Sequence, residues 1–128
     1  MIQLDTIIAV KDVAASTVWY NTLFGFRNLH EGGNFAVLAY GENIVLCLHP
    51  WNDHEHPSLS HPSEHTGKGL LLYFRTANMK EIRAKAKDLQ AKITEEMHFN
   101  TNSGQYEFSL RDPDGYFITV SEYRRYGS

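Results

Sequence analysis

Histidine is the most concentrated chemical resource of this chain. Five of its seven histidines, His49, His54, His56, His61 and His65, fall in the stretch LHPWNDHEHPSLSHPSEH. Imidazole is the commonest biological metal ligand, so the stretch offers a surface zinc or nickel site. The competing reading is a solvated linker, which the Pro, Ser and Asn content favours. No helical spacing preorganises ligands there, and His54-x-His56 is a weak pattern alone. Cys47 is the only cysteine, which excludes an internal disulfide and a cysteine-based zinc finger. Its flanks, Leu46 and Leu48, supply neither a base nor a positive charge, so a small buried hydrophobe fits better than a reactive thiol. No serine, histidine and acid arrangement and no phosphate-binding glycine loop can be read. A last stretch of interest is FSLRDPDGYFITVSEY, residues 108–123. Asp112-Pro113-Asp114-Gly115 is turn chemistry: Pro113 fixes φ, the aspartates bond nearby amides, and Gly115 tolerates positive φ. Thr119 then stands as a neutral hydroxyl in a strand of aromatic and β-branched residues.

The elements that must position these residues come twice. Residues 4–10 read as a strand and 13–24 as a helix, with Gly25 where a C-cap glycine belongs. Strand-like runs follow at 26–29, 35–40 and 44–48, the last two joined by Gly41-Glu42-Asn43. After a polar loop, 70–74 is an apolar strand, and a helix over 79–91 carries Met79, Ile82, Ala86 and Leu89 on one face. Strands over 93–98, 106–110 and 116–122 complete the second set. Each half is strand, helix, strand, strand, strand. FAVLAYGENIVLCLH and FSLRDPDGYFITVSE align on Gly41 and Gly115, which matches Val45 with Thr119 and Cys47 with Ser121. A repeated order of five elements suggests two similar modules packed together.

Bulk properties exclude several classes. The 128 residues fit one domain, with module one at about 1–50, a linker at about 51–68 and module two at about 69–126. With 12 Lys and Arg against 15 Asp and Glu, the net charge of −3 gives no nucleic-acid footprint. The most basic stretches, 80–92 and Arg124-Arg125, read as solvated faces. No run approaches the roughly 18 apolar residues of a membrane helix. The start, MIQLDTIIAVKD, lacks a basic leader and a cleavage site, so a cytoplasmic setting is expected.

VKDVAASTVWYNTLFGF (10–26) resembles V-x-D-x-x-x-S-x-x-FY-x-x-x-LGF, and FSLRDPDGYFITV resembles F-x-x-x-DPDGN-x-I-E-L. Both are motifs of the vicinal oxygen chelate superfamily, which includes glyoxalase I, extradiol dioxygenases and fosfomycin and bleomycin resistance proteins. The resemblance covers nearly the whole chain. It implies an α+β fold of two βαβββ modules with mixed sheets curled around a shared cleft. In the superfamily's metalloenzymes an ion sits in that cleft on ligands from the first and last strand of each module, where it binds adjacent substrate oxygens. The corresponding positions here are Asp5, Val45, Leu70 or Leu71, and Thr119. The usual Glu of the last strand is therefore replaced by Thr119, and one carboxylate does not hold a divalent ion against water. Glu107 and Glu122 are the carboxylates that a rearranged set would use.

Strand alternation sorts the cleft residues. Phe117, Thr119 and Ser121 share a face, with Ile118 and Val120 behind them. Asp5, Ile7 and Ala9 share a face with Val45 and Cys47. The fifth strand offers either Leu71, Tyr73 and Arg75 or the set one residue over. The resulting pocket is mostly apolar with a few hydroxyls, the usual composition of a small-molecule site. Related antibiotic-binding members close aromatics over planar ligands, a role open to Trp51. The expected ligand-binding set is thus Asp5, Ile7, Val45, Cys47, Trp51, Tyr73, Phe117, Thr119 and Ser121, with no metal and no cofactor. The expected function is metal-independent binding of a small molecule, resembling the antibiotic-sequestering type. The alternative is a metal-dependent lyase or dioxygenase with an altered ligand set. Unpaired strand edges suggest a homodimer.

Overall fold

Helix α1 (Val13–Phe24) begins and ends where local chemistry dictates. Asp12 precedes it in an extended conformation, and its Oδ1 accepts from the Ala15 amide at 2.9 Å, satisfying one of the helix's orphan donors. Gly25 closes it at φ +81°, donating its N–H to the Asn21 carbonyl at 2.8 Å. The Asn21 side chain in turn donates to the Phe26 carbonyl at 2.6 Å, tying the outgoing chain to the helix. Ser16, Tyr20 and Leu23 form the buried side. Tyr20, Phe24 and Phe26 stack in near-parallel pairs, with Phe26 edge-on to Tyr40. Such clusters add specific ring contacts to the burial of large apolar area.

The computed structural model describes residues 1–30, 32–53 and 55–123. His54 of the histidine pair, Arg124 and Arg125 therefore lie outside the described residues. The chain divides into two compact units, Met1–Thr66 and Gly67–Ser128, a boundary inside the expected linker. In the first unit, β1 (Ile7–Val10), β2 (Arg27–Asn28), β3 (Ala36–Tyr40) and β4 (Asn43–Pro50) form a sheet of order β1-β4-β3-β2. In the second, β5 (Leu72–Thr76), β6 (Lys92–Asn100), β7 (Gln105–Arg111) and β8 (Phe117–Glu122) form a sheet of order β5-β8-β7-β6. The first strand of each sheet runs parallel to the last, and the other pairs are antiparallel. Two βαβββ modules with mixed sheets are thus present, an α+β architecture. Among the described residues no helix is long and apolar enough to cross a membrane.

Several boundaries differ from expectation, and three of them have a local physical reason. β1 starts at Ile7 rather than residue 4, because its pairing with β4 opens with Ile7 beside Cys47 and residues 1–5 are exposed. β5 starts at Leu72 rather than residue 70, because the Leu70 amide is turned back to the Gly67 carbonyl at 3.2 Å. Helix α2 (Met79–Asp88) stops short of Ala91 because Gln90 adopts φ +55°. Ala91 then donates to the Ala86 carbonyl and Gln90 to that of Lys87, a Schellman closure with glutamine in the glycine place. α2 buries Met79, Ile82 and Ala86 and packs on β8. Its exposed side is tied to β6 by a bidentate pair, Arg83 to Glu96, at 3.0 and 2.6 Å. That pair holds the Arg83 guanidinium above and the Glu96 carboxyl below their usual ranges.

Candidate functional site

Strands β7 and β8 divide their residues cleanly between two faces. Phe108, Leu110, Ile118 and Val120 are fully buried, and Phe108 lies under the Arg83 guanidinium of α2, so this is the helix side. Alternation places Gln105, Glu107, Ser109, Thr119 and Ser121 on the other side. All five are polar, and all five are buried, from Gln105 at 9% exposure to Ser121 at 0%. Burial of polar groups is tolerated only when they are hydrogen-bonded, and here they bond one another. Ser109 Oγ and Thr119 Oγ1 lie opposite each other and 2.9 Å apart. The Ser121 hydroxyl donates to Gln105 Oε1 at 3.4 Å.

Glu107, on the same face, has partners of its own. Its Oε2 accepts from the Tyr73 hydroxyl at 3.2 Å, and its Oε1 accepts from Asn100 Nδ2 at 2.7 Å. His98 Nε2 stands 3.8 Å from Oε1 and 3.9 Å from Glu95 Oε2, while its Nδ1 lies 2.8 Å from the Glu96 carbonyl. Tyr73 is on β5 and Glu107 on β7, with β8 between them, a span of about 10 Å at ordinary strand spacing. The tyrosine therefore reaches across β8. Its own ring is 40% exposed. The second sheet presents an aromatic ring and a buried carboxylate over a floor of paired hydroxyls, an arrangement suited to binding polar groups.

The corresponding face of the first sheet is apolar. Ile7, Cys47 and Val37 stand in one row across β1, β4 and β3. Ala9 and His49 follow, with Phe35 stacked on the His49 ring at 6.1 Å. Burial, and secondarily the Asp5 carboxylate, pushes the Cys47 thiol above its usual range, which disfavours the thiolate. Asp5 itself is exposed before β1, with Gln3 Nε2 donating to its Oδ1 at 3.2 Å.

The pairing register corrects the hairpin alignment of the two modules. Asp12 and Asn78 precede the two helices, and five residues before them Ile7 pairs with Cys47 while Tyr73 pairs with Thr119. The counterpart of Thr119 is therefore Cys47, not Val45. The reason is a bulge: Leu38 pairs with Leu46 and Ala39 with Ile44, which leaves Val45 as the extra residue of β4. The same register settles the fifth strand, where Leu71 and not Leu70 shares the parity of Tyr73. The four positions at which the resemblance expects metal ligands thus hold Asp5, Cys47, Leu71 and Thr119. Leu71 has no donor atom, the threonine hydroxyl is already paired, and Asp5 stands exposed before β1. These residues do not fit a divalent ion.

Of the expected ligand-binding residues, Tyr73, Thr119 and Ser121 lie on the polar face of the second sheet, with Phe117, which is partly buried beneath the Arg111 guanidinium, at its end. Ile7 and Cys47 lie in one row of the first sheet, Ile7 exposed and Cys47 buried, with Val45 at its bulge. Trp51 sits half-buried just beyond β4. In the histidine loop, Asp53 lies between His49 Nε2 at 3.4 Å and His56 Nε2 at 3.6 Å, and its buried Oδ2 has no hydrogen-bond partner among the described residues. Among the described residues no three His, Cys, Asp or Glu side chains gather as an ion site. Sequence reasoning omitted Gln105, Ser109, Asn100 and His98. The strict alternation of QYEFSLR carries the signal for the first two.

The model of the Glyoxalase/Bleomycin resistance protein/Dioxygenase superfamily matches residues 3–120. No curated protein matches the chain. Among solved structures, a protein of unknown function from Agrobacterium tumefaciens str. C58 has a TM-score of 0.78 at 23% identity, over 97% of this chain and 95% of that one. TioX from Micromonospora sp. ML1 has a TM-score of 0.75 at 18% identity, over 97% and 100%. Lactoylglutathione lyase from Agrobacterium tumefaciens has a TM-score of 0.72 at 21% identity, over 99% and 97%. At these identities the likeness establishes the fold.

Proposed function

The chain belongs to the Glyoxalase/Bleomycin resistance protein/Dioxygenase superfamily, and we propose that within it the protein binds a small molecule without the help of a divalent ion. The observation that carries this reading is Thr119. It occupies the last-strand position where the superfamily's metalloenzymes place a carboxylate, and its hydroxyl is committed to Ser109 at 2.9 Å. A divalent ion prefers several charged or strongly donating oxygens and exchanges its waters for nothing weaker. The residues offered instead are those of a binding surface: the Tyr73 ring, the Glu107 carboxylate and the serine and threonine hydroxyls, next to apolar carbon. Pockets of that composition fix a ligand's orientation through a few polar groups and take their affinity from apolar contact. A cytoplasmic homodimer is part of the same reading, on the ground that β1 and β2, and β5 and β6, are sheet edges.

The test is calorimetry on protein dialysed against chelator and then titrated with zinc, nickel, iron and manganese. The expected result is no heat that depends on Asp5. Any binding of these ions is expected at the loop histidines, and to vanish when His54 and His56 are both changed to Ala. A stoichiometric site of micromolar or tighter affinity that disappears in Asp5→Ala would restore a metal-dependent lyase or dioxygenase. Light scattering at micromolar concentration decides the oligomer, a mass near 14.7 kDa counting against the dimer.

A further inference from the structure

Glu107 is a buried carboxyl group whose hydrogen bonds, among the described residues, come only from neutral donors, with the partly exposed His98 as a basic neighbour. Its side chain is 9% exposed, yet its two hydrogen bonds come from neutral donors, the Tyr73 hydroxyl and the Asn100 amide. Among the described residues no lysine or arginine pairs with it. His98 is too distant at 3.8 Å for a hydrogen bond, faces Glu95 at 3.9 Å as well, and is 40% exposed. A carboxylate in such a place is costly unless a cation joins it. The other buried polar groups on this face, Gln105, Ser109, Thr119 and Ser121, are neutral, so Glu107 is its buried ionisable group, with Arg75 in the same row on β5. Glu107 lies beside the exposed ring of Tyr73, and aromatic faces attract cations as well.

We propose that Glu107 selects the ligand's charge: the ligand presents an organic cation, an ammonium or amidinium on an apolar body, to this carboxylate beside the Tyr73 ring. The inference rests on the binding reading above and adds to it the chemical class of the ligand. Two neutral donors hold the carboxylate in place without neutralising it, so an incoming N–H donor meets a preorganised acceptor. The open neighbours, Tyr73 and His98, mark the side from which solvent and ligand reach it.

The experiment uses three probes of one shape, benzamidine, benzamide and benzoate, at pH 8. Their binding is read from amide resonances of Glu107, Ser109 and Thr119 in the full chain. Benzamidine is expected to bind about tenfold tighter than benzamide, the order that charge assistance adds to a neutral hydrogen bond, with benzoate weakest. Glu107→Gln keeps the shape and the acceptor for Tyr73 and is expected to bring benzamidine and benzamide within about twofold of each other. Tyr73→Phe removes a neutral donor but keeps the charge, so the preference for benzamidine persists. Equal binding of benzamidine and benzamide to the wild type, a preference unchanged in Glu107→Gln, or its loss in Tyr73→Phe overturns the inference and leaves the binding reading standing. Absence of any shift with all three probes removes both.

Discussion

Ile7, Cys47 and Val37 cross the first sheet in one row; Tyr73, Thr119 and Ser109 cross the second in the equivalent row. The backbone plan is the same, and the strand order and parallel pair repeat. The side chains differ in kind. The first row is apolar and needs no partners, whereas the second is hydroxylated and satisfies itself by a bond between its own members. One row further along, Ala9, His49 and Phe35 stand against Arg75, Ser121 and Glu107. On one repeated backbone plan, the first sheet's row thus carries apolar groups and the second sheet's row carries directional ones. Fold constrains the positions, and the residues at those positions carry the chemistry.

The helices repeat the contrast, and here the largest effect is expected. α1 is anchored by Tyr20, at 0% exposure, in a stack with Phe24 and Phe26. α2 is held by smaller side chains, of which Ile82 is 6% exposed, and by a surface ion pair. Tyr20→Ala should cost about 3–5 kcal/mol, the order for truncating a buried aromatic, against about 1 kcal/mol for Ile82→Val. Urea unfolding midpoints check this. Similar losses at the two sites would remove the distinction between the helices.

The hydroxyl row is the next target. Thr119→Val keeps shape but leaves the Ser109 hydroxyl buried at 1% exposure without its partner, an expected loss of about 1–3 kcal/mol. Adding Ser109→Ala removes the orphan and should recover most of it, since deleting both partners is far cheaper than deleting one. The converse swap, Cys47→Ser, puts a lone hydroxyl into the apolar row and should cost a similar amount. A neutral Thr119→Val, with no recovery from the second change, would show that the pair does not hold the second sheet's face.

How much of this was legible in the sequence depends on the range of the interaction involved. Asp12 and Gly25 act within one turn of α1, so the helix could be bounded from composition alone. The inward and outward sorting of β8 rests on period two and holds in the structure. The Val45 bulge is different: it changes the register of β4 without changing the hydrophobic pattern, and aligning on Gly41 and Gly115 could not detect it. The end of α2 turns on Gln90 in a conformation that glycine or asparagine usually marks. The Tyr73–Glu107 bond crosses an intervening strand between residues far apart in sequence. From the sequence Glu107 reads only as a spare metal ligand, because nothing local shows that its neighbours are neutral donors.

The smallest effect concerns Cys47, where the first sheet's apolar row meets its one nearby charge. Burial and the Asp5 carboxylate both disfavour the thiolate, so the folded-state value is raised above the unfolded one. The sign follows directly. Preference for the neutral thiol contributes stability below the unfolded pKa and loses it as pH rises through the folded one. Alkylation requires the thiolate, so the midpoint of the rate against pH for iodoacetamide should lie above that of free cysteine. Asp5→Asn removes the lesser of the two causes and leaves burial in place. The midpoint should therefore move down without reaching the free value, and the rate at pH 8 should rise. Using the midpoint separates thiolate formation from access, since a steric barrier lowers every rate alike. A midpoint at or below that of free cysteine would show that Cys47 is an activated thiol, and the first sheet would then carry chemistry of its own.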